Sequence, residues 1–246
     1  MDRPATAIPT APREDRPSAE ESKSLVERYS EMSHAYERRR GDAVLRAFDL
    51  LIAGLVLLLL SPLLLLIAAM VLLVSGRPVL YRGARVGRFG RVFTMHKFRT
   101  LTVDAEVRLG PYYGDELTLR TREETIPLGT AVRALHFDEI PQLFNVLAGE
   151  MSIVGPRPIR PSFFEELCER VPQYWQRLVV RPGVTGFAQT RITREEAWDF
   201  KLAHDLEYIA DRSVSLYIRV LLATVARVVT RAVRGVTERL RRRADR

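Results

Sequence analysis

One cysteine, Cys168, stands in 246 residues, so no internal disulfide forms and no thiolate cage can hold a metal. A reducing compartment fits that count. Four histidines, His34, His96, His136 and His204, are too scattered for zinc-ligand spacing. No glycine-rich loop ending in Lys-Ser/Thr is present, and no strand-to-helix dinucleotide fingerprint. The run Gly83-Ala-Arg-Val-Gly87-Arg-Phe-Gly90 has the wrong spacing for either and reads as a basic hairpin. Acidic residues are outnumbered: the formal net charge is +8, which points to an anionic partner such as nucleic acid, acidic lipid or a phosphorylated substrate. Charge is also missing locally. From Leu50 to Gly76 there is none.

That uncharged run places residues 41–77 in lipid. As one straight helix, Leu50–Gly76 would be about 40 Å long, more than the bilayer core requires. Pro62 lies near its middle, lacks an N–H and opposes the carbonyl of Leu58, while the Ser61 hydroxyl can take over a freed carbonyl. Both flanks are basic, with Arg38, Arg39, Arg40 and Arg46 before and Arg77, Arg82, Arg85 and Arg88 after. A helix–break–helix that enters and leaves by one face keeps both flanks cytoplasmic. A kinked spanning helix also fits the residues.

Around this segment the chain divides into a polar extension at 1–40, a cytoplasmic domain at 78–212 and a basic amphipathic end at 213–246. Residues 1–20 are rich in Pro, Ala, Ser and charge and read as disordered rather than as a signal peptide, since no apolar core follows the charged start. A polar helix is expected from about Glu20 to Arg40. In the domain, Val92–Thr100 reads as a strand with Lys97 and Arg99 on one face. Residues 104–130 read as a helix plus a loop containing Pro111–Gly114. A helix follows Asp138-Glu139 and stops at Gly149. Met151–Pro158 reads as a short strand into a stiff loop, Ser162–Tyr174 as helical, Arg181–Gly186 as turn, and the rest from Glu195 as helical. Beyond Val214, Arg219, Arg227, Arg231 and Arg234 fall within about a third of the helix circumference, the mark of an interfacial helix with a basic stripe. Residues 226–246 carry eight arginines against Glu238 and Asp245. The expected fold class is α/β, mostly helical with a small hairpin element.

Adjacent carboxylates usually mark a charged surface. Pro141, two residues after Glu139, fits a first helical turn and puts Asp138-Glu139 at a helix start. There the pair acts either as a cap or as chemistry: an ionised Asp attacking phosphorus and a Glu holding magnesium that also grips phosphate. Candidate phosphate-binding cations are Lys97 and Arg99 on the strand, Arg157 between two prolines, and Arg181 before Pro-Gly.

Five segments in order carry a resemblance: Phe48-Asp49-Leu-Leu with Ser61-Pro62, Lys97-Phe98-Arg99-Thr100, Asp138-Glu139-Ile-Pro141-Gln142-Leu143-Phe144-Asn145, Gly155-Pro156-Arg157-Pro158, and Arg181-Pro182-Gly183-Val-Thr185-Gly186. Over roughly residues 43–230 the chain resembles the bacterial sugar transferases, the monotopic polyprenyl-phosphate phosphoglycosyl transferases. The resemblance implies a re-entrant helix broken at Ser61-Pro62. It implies Asp138 as a nucleophile on the β-phosphate of a UDP-sugar, a phosphosugar intermediate, UMP release, and transfer to polyprenyl phosphate. Glu139 matches the residue associated with Mg²⁺. Lys97, Arg99, Arg133, Arg157 and Arg181 match basic positions expected around the phosphates. The implied setting is the cytoplasmic face of the bacterial inner membrane, with membrane lipids but no nucleic acid as partners, and a homodimer left open. The chain departs from relatives at Thr125–Arg133, at Leu135-His136-Phe137 and at Thr190-Arg191, which bears on the sugar more than on the reaction. The polar amino-terminal tail resembles the short form of the family. The competing reading, a membrane-anchored basic adaptor, has no use for the acidic pair or for Arg157.

Overall fold

A computed structural model describes residues 41–109, 114–191 and 198–244. The expected extension at 1–40, the tip of the 111–114 loop, and the side chains of Arg231, Arg234 and the 239–246 tail lie outside the described residues. Helix α1 (Gly41–Ser75) leads into an antiparallel hairpin of β1 (Leu80–Val86) and β2 (Val92–Phe98). Then come α2 (Ala105–Leu109), α3 (Gly114–Glu123), α4 (Gly129–Ala134), a 3₁₀ turn (Phe137–Glu139) and α5 (Gln142–Ala148). Strand β3 (Ser152–Val154) precedes α6 (Pro161–Arg170) and a 3₁₀ stretch (Pro172–Val179). Strand β4 (Gly183–Thr185), α7 (Phe187–Arg191), α8 (Trp198–Asp211) and α9 (Val214–Ala244) complete the described chain. The mostly helical character and the hairpin agree with the sequence reading. Arg181–Gly186 differs: instead of a bare turn it contains β4, which pairs in parallel with β3.

The 35 residues of α1 run through Ser61-Pro62 as one helical element, where the sequence reading expected a helix–break–helix. The local chemistry explains the continuity. Pro62 cannot donate to the Leu58 carbonyl, and the Ser61 hydroxyl does so instead at 2.8 Å. At 100° per residue, the buried positions Leu45, Asp49, Ala53, Leu57, Ile67 and Val71 fall within about 120° of arc. One stripe therefore faces the domain on both sides of Pro62. The first half packs with Phe93, Met95, Leu143, Ile153 and Tyr217, and the second half with Phe98 and Ile126. The other faces expose Leu51, Leu58, Leu65 and Leu73, each at 67% or more. Among the described residues α1 is the one helix long and apolar enough to cross a membrane.

Both ends of α1 are tied to the same domain by polar contacts. Near its start, Arg46 donates to the carbonyls of Leu147 and Met151, and Arg212 pairs with Asp42 at 2.9 Å. Asp49, 3% exposed, accepts from the Ser152 hydroxyl, the Ile153 N–H and the Tyr217 hydroxyl at 2.9, 2.9 and 3.0 Å. At the far end Arg99 donates to the carbonyls of Ser75, Gly76 and Pro78. The Ser75 carbonyl is one of the orphan acceptors that a helix terminus leaves, and the other two belong to the turn that follows it.

Helix α9 packs Leu216, Tyr217 and Val220 inward and exposes Ile218, Leu222, Val225 and Val229. That apolar face suits a membrane interface. Its expected basic stripe is altered: Arg219 is exposed, but Arg227 turns onto the carbonyls of Gln189 and Thr190 in α7.

Replacing Asp49 by Ala strands three buried donors, and the variant should lose about 3 kcal/mol or more of stability. Thermal unfolding in detergent reads this loss. A change below about 1 kcal/mol would show that Asp49 does not anchor α1.

Candidate active site

The hairpin supplies one wall of the site. In its antiparallel register Tyr81 faces Lys97, Gly83 faces Met95 and Arg85 faces Phe93, so these residues share one face of the ribbon. Against the Lys97 end lies the 3₁₀ turn Phe137–Glu139, entered through His136 in the left-handed region (φ 58°). Pro141 and Gln142 then start α5, whose first turn follows the acidic pair as the sequence indicated, and Gly149 (φ 84°) ends it.

Lys97 Nζ donates to Glu139 Oε1 at 2.7 Å, and His136 Nδ1 lies 3.8 Å from the other oxygen. Burial opposes the charged form of Glu139, but Lys97, His136 and Arg157 outweigh it and hold this carboxyl well below its ordinary range. Its neighbour behaves oppositely. Burial, and then the Glu139 charge, push the Asp138 carboxyl up, against Lys97, Arg133 and His136. Two adjacent carboxyls pushed apart by their surroundings are the usual sign of divided roles. The surroundings thus hold Glu139 toward its charged form and Asp138 toward its neutral one.

The opposite wall comes from the loop after β3. Gly155 N–H donates to the Thr185 carbonyl, and Gly183 N–H donates to that of Pro156, both at 2.9 Å. The two loops approach so closely that a Cβ on Gly155 would stand 2.5 Å from the Arg181 carbonyl. That contact requires glycine. Arg157 projects from this fastened loop. Its carbonyl accepts from the buried Arg177, whose guanidinium also pairs with the buried Asp205 at 2.8 Å.

Between the walls is a cleft of about 180 Å³, lined among others by Arg85, Lys97, Glu139, Arg157, Arg160, Phe163 and Trp198. Arg85 pairs with Glu106 at 2.9 Å, and Arg160 lies 3.7 Å from the same carboxylate. Burial, and then the neighbouring Arg160 and Arg157, lower the Arg85 guanidinium to about 9. Arg85, Arg157 and Arg160 thus crowd this part of the cleft, with the Glu106 carboxylate against two of them.

The sequence candidates therefore divide. Lys97, Glu139 and Arg157 line one cleft, with Asp138 and Arg133 beside it. Arg99 lies elsewhere, on the carbonyls that end α1, and Arg181 donates to the Gly149 carbonyl near Arg46. Arg85, Arg160, Phe163 and Trp198 were missed. Arg160 had a readable signal, since it precedes Pro161 and follows Pro158 closely, the setting that singled out Arg157.

The profile described as "Bacterial sugar transferase" matches residues 40–231. The chain belongs to the bacterial sugar transferase family. Among curated relatives, an undecaprenyl-phosphate glucose phosphotransferase of Komagataeibacter xylinus is 39% identical over 193 residues, covering 75% of this chain and 35% of that protein. A UDP-N-acetylgalactosamine-undecaprenyl-phosphate N-acetylgalactosaminephosphotransferase of Aeromonas hydrophila is 34% identical over 158 residues, covering 62% and 36%. The exopolysaccharide production protein PSS of Rhizobium leguminosarum bv. phaseoli is 36% identical over 165 residues, covering 63% and 79%. The chain thus spans about a third of the length of the first two and most of the third. The matched range takes in α1, the hairpin, the acidic turn and both loops of the cleft.

Proposed function

We propose that this chain transfers a sugar 1-phosphate from a UDP-sugar to a polyprenyl phosphate such as undecaprenyl phosphate, with Asp138 as the nucleophile. The observation that carries the reading is the opposed behaviour of Asp138 and Glu139 beside a cation-rich cleft. The relatives' names, which print undecaprenyl phosphate and UDP-sugars, support the substrate classes.

In the first step an Asp138 carboxylate oxygen attacks the β-phosphorus of the donor. The bond from that phosphorus to the bridging oxygen breaks, and UMP leaves with the electron pair. In the second step a phosphate oxygen of the polyprenyl acceptor attacks the same phosphorus. The Asp138 oxygen–phosphorus bond breaks, which restores the carboxylate and yields the polyprenyl-diphosphate sugar. Lys97 fixes Glu139 and lowers the charge density around Asp138, and Arg133 and Arg157 stabilise the phosphoryl oxygens. Asp138 and Glu139 are hard oxygen donors of the kind magnesium takes. Glu139 would hold the ion, which supplies neutralisation of diphosphate charge when bound.

The reaction needs Asp138 at the lipid boundary, and α1 supports such a placement. One domain grips α1 at both ends and along one stripe, so a monotopic helix dipping into a single leaflet from the cytoplasmic face of the inner membrane fits these contacts. An adaptor that only gathers acidic lipid would gain nothing from a carboxylate held above its ordinary range next to one held below it.

Membranes containing the protein, given a UDP-sugar, undecaprenyl phosphate and Mg²⁺, should release UMP, and Asp138→Asn should lower this at least about 10³-fold. Wild-type turnover in that variant would remove Asp138 from the mechanism. For topology, cysteines introduced at Ala43 and Pro78 in a Cys168→Ser background should both react with a membrane-impermeant maleimide only from the cytoplasmic side. Periplasmic labelling of either position would overturn the monotopic placement.

A further inference from the structure

The cleft is longer than the acidic turn needs, and its far end has a different chemistry. Lys97 and Phe93, the cross-strand partner of Arg85, are four residues apart on β2, or about 13 Å along the strand. The cleft therefore runs along the hairpin from the acidic turn to Arg85. That span is comparable with the distance from the second phosphate of a nucleoside diphosphate to its base. Among the described residues of this lining, Arg85, Lys97, Arg157 and Arg160 stand against Glu139 and Glu106, an excess of two positive charges, which matches a diphosphate. Beyond the arginines the lining turns aromatic. The half-buried rings of Phe163 and Trp198 meet edge to face at 5.1 Å and 77°, and Lys201 Nζ sits 4.4 Å from the Trp198 ring.

We propose that the Phe163–Trp198 pair is the nucleoside-recognition end of the cleft, with the base packed against these rings and the adjoining phosphate on Arg85 and Arg160. The inference rests on the donor reading above and adds the direction in which the donor lies. Its sugar phosphate meets Asp138 at one end of the hairpin face, and its base lies at the other. Aromatic faces suit this task because every base presents a π-surface, while the guanidinium forks supply directed contacts to phosphate oxygens. After the first step the UMP half remains between arginines and rings, away from Asp138. The acceptor's phosphate can then approach the intermediate from the Arg133 side. Phe163 and Trp198 would thereby determine donor affinity without touching the reacting phosphorus.

Equilibrium binding of UMP and of ribose 5-phosphate to the detergent-solubilised protein, followed by calorimetry, tests this. Phe163→Leu and Trp198→Leu retain apolar bulk but lose the ring. Each should weaken UMP about fivefold or more while leaving ribose 5-phosphate within twofold, because only UMP carries a base. Trp198→Phe should keep most of the UMP affinity. If UMP binds both leucine variants as it binds the wild type, the base lies elsewhere and the inference fails, while the donor reading stands. Equal loss of both ligands also overturns it, since the rings would then serve the loop structure alone. Absence of UMP binding to the wild-type protein, together with absence of UMP release in the turnover assay, would instead bring down the donor reading itself.

Discussion

The Lys97–Glu139 ion pair joins the hairpin to the turn that carries Asp138, and the layout of the site follows from that junction. It closes one end of the cleft, keeps Glu139 ionised despite burial, and leaves Asp138 one residue earlier under a raised electrostatic cost. Without Lys97, two adjacent half-buried carboxyls would repel one another, and protonation would be the easier relief. The 3₁₀ geometry adds to this by placing consecutive residues on different sides of a tight turn. Glu139 lines the cation-rich cleft, and Asp138 stands beside it, within the field of Lys97 and Arg133.

A second constraint acts on a larger scale. A strongly apolar helix is gripped by a polar domain at its start, at its end and along one stripe between. Asp49 and Arg99 do most of the fastening, one by accepting from β3 and α9, the other by donating to the carbonyls that end the helix. Because β3 leads directly into the Gly155-Pro156-Arg157 loop, the anchor of the apolar helix and the Arg157 wall of the cleft belong to one connected backbone.

Much of this was readable from local pattern. The basic hairpin followed from alternation and glycine placement, the α5 start from Pro141 after the acidic pair, and its stop from Gly149. Ser61 answering for Pro62 was also readable, because the hydroxyl and the orphaned carbonyl are three residues apart. What could not be read depends on long-range packing. Arg99 shares a strand with Lys97, yet it caps a helix that ends more than twenty residues earlier. Arg181, identical in setting to a phosphate ligand, satisfies the end of α5. Strand β4 looks like a turn because Pro182 and Gly183 open the segment and Gly186 closes it, and it pairs in parallel with β3. The Arg177–Asp205 pair and the Phe163–Trp198 pair each join segments about thirty residues apart with no periodic signal.

The central claim is that Asp138 carries the sugar's phosphate covalently between donor and acceptor. The direct measurement is intact-protein and peptide mass spectrometry after incubation with a UDP-sugar and Mg²⁺ in the absence of polyprenyl phosphate, with acidic quenching. The account predicts a mass increase equal to one phosphosugar, located on the peptide containing Asp138 and discharged when polyprenyl phosphate is added. An unmodified Asp138 under conditions of single-turnover UMP release, or an adduct on a different residue, would contradict it.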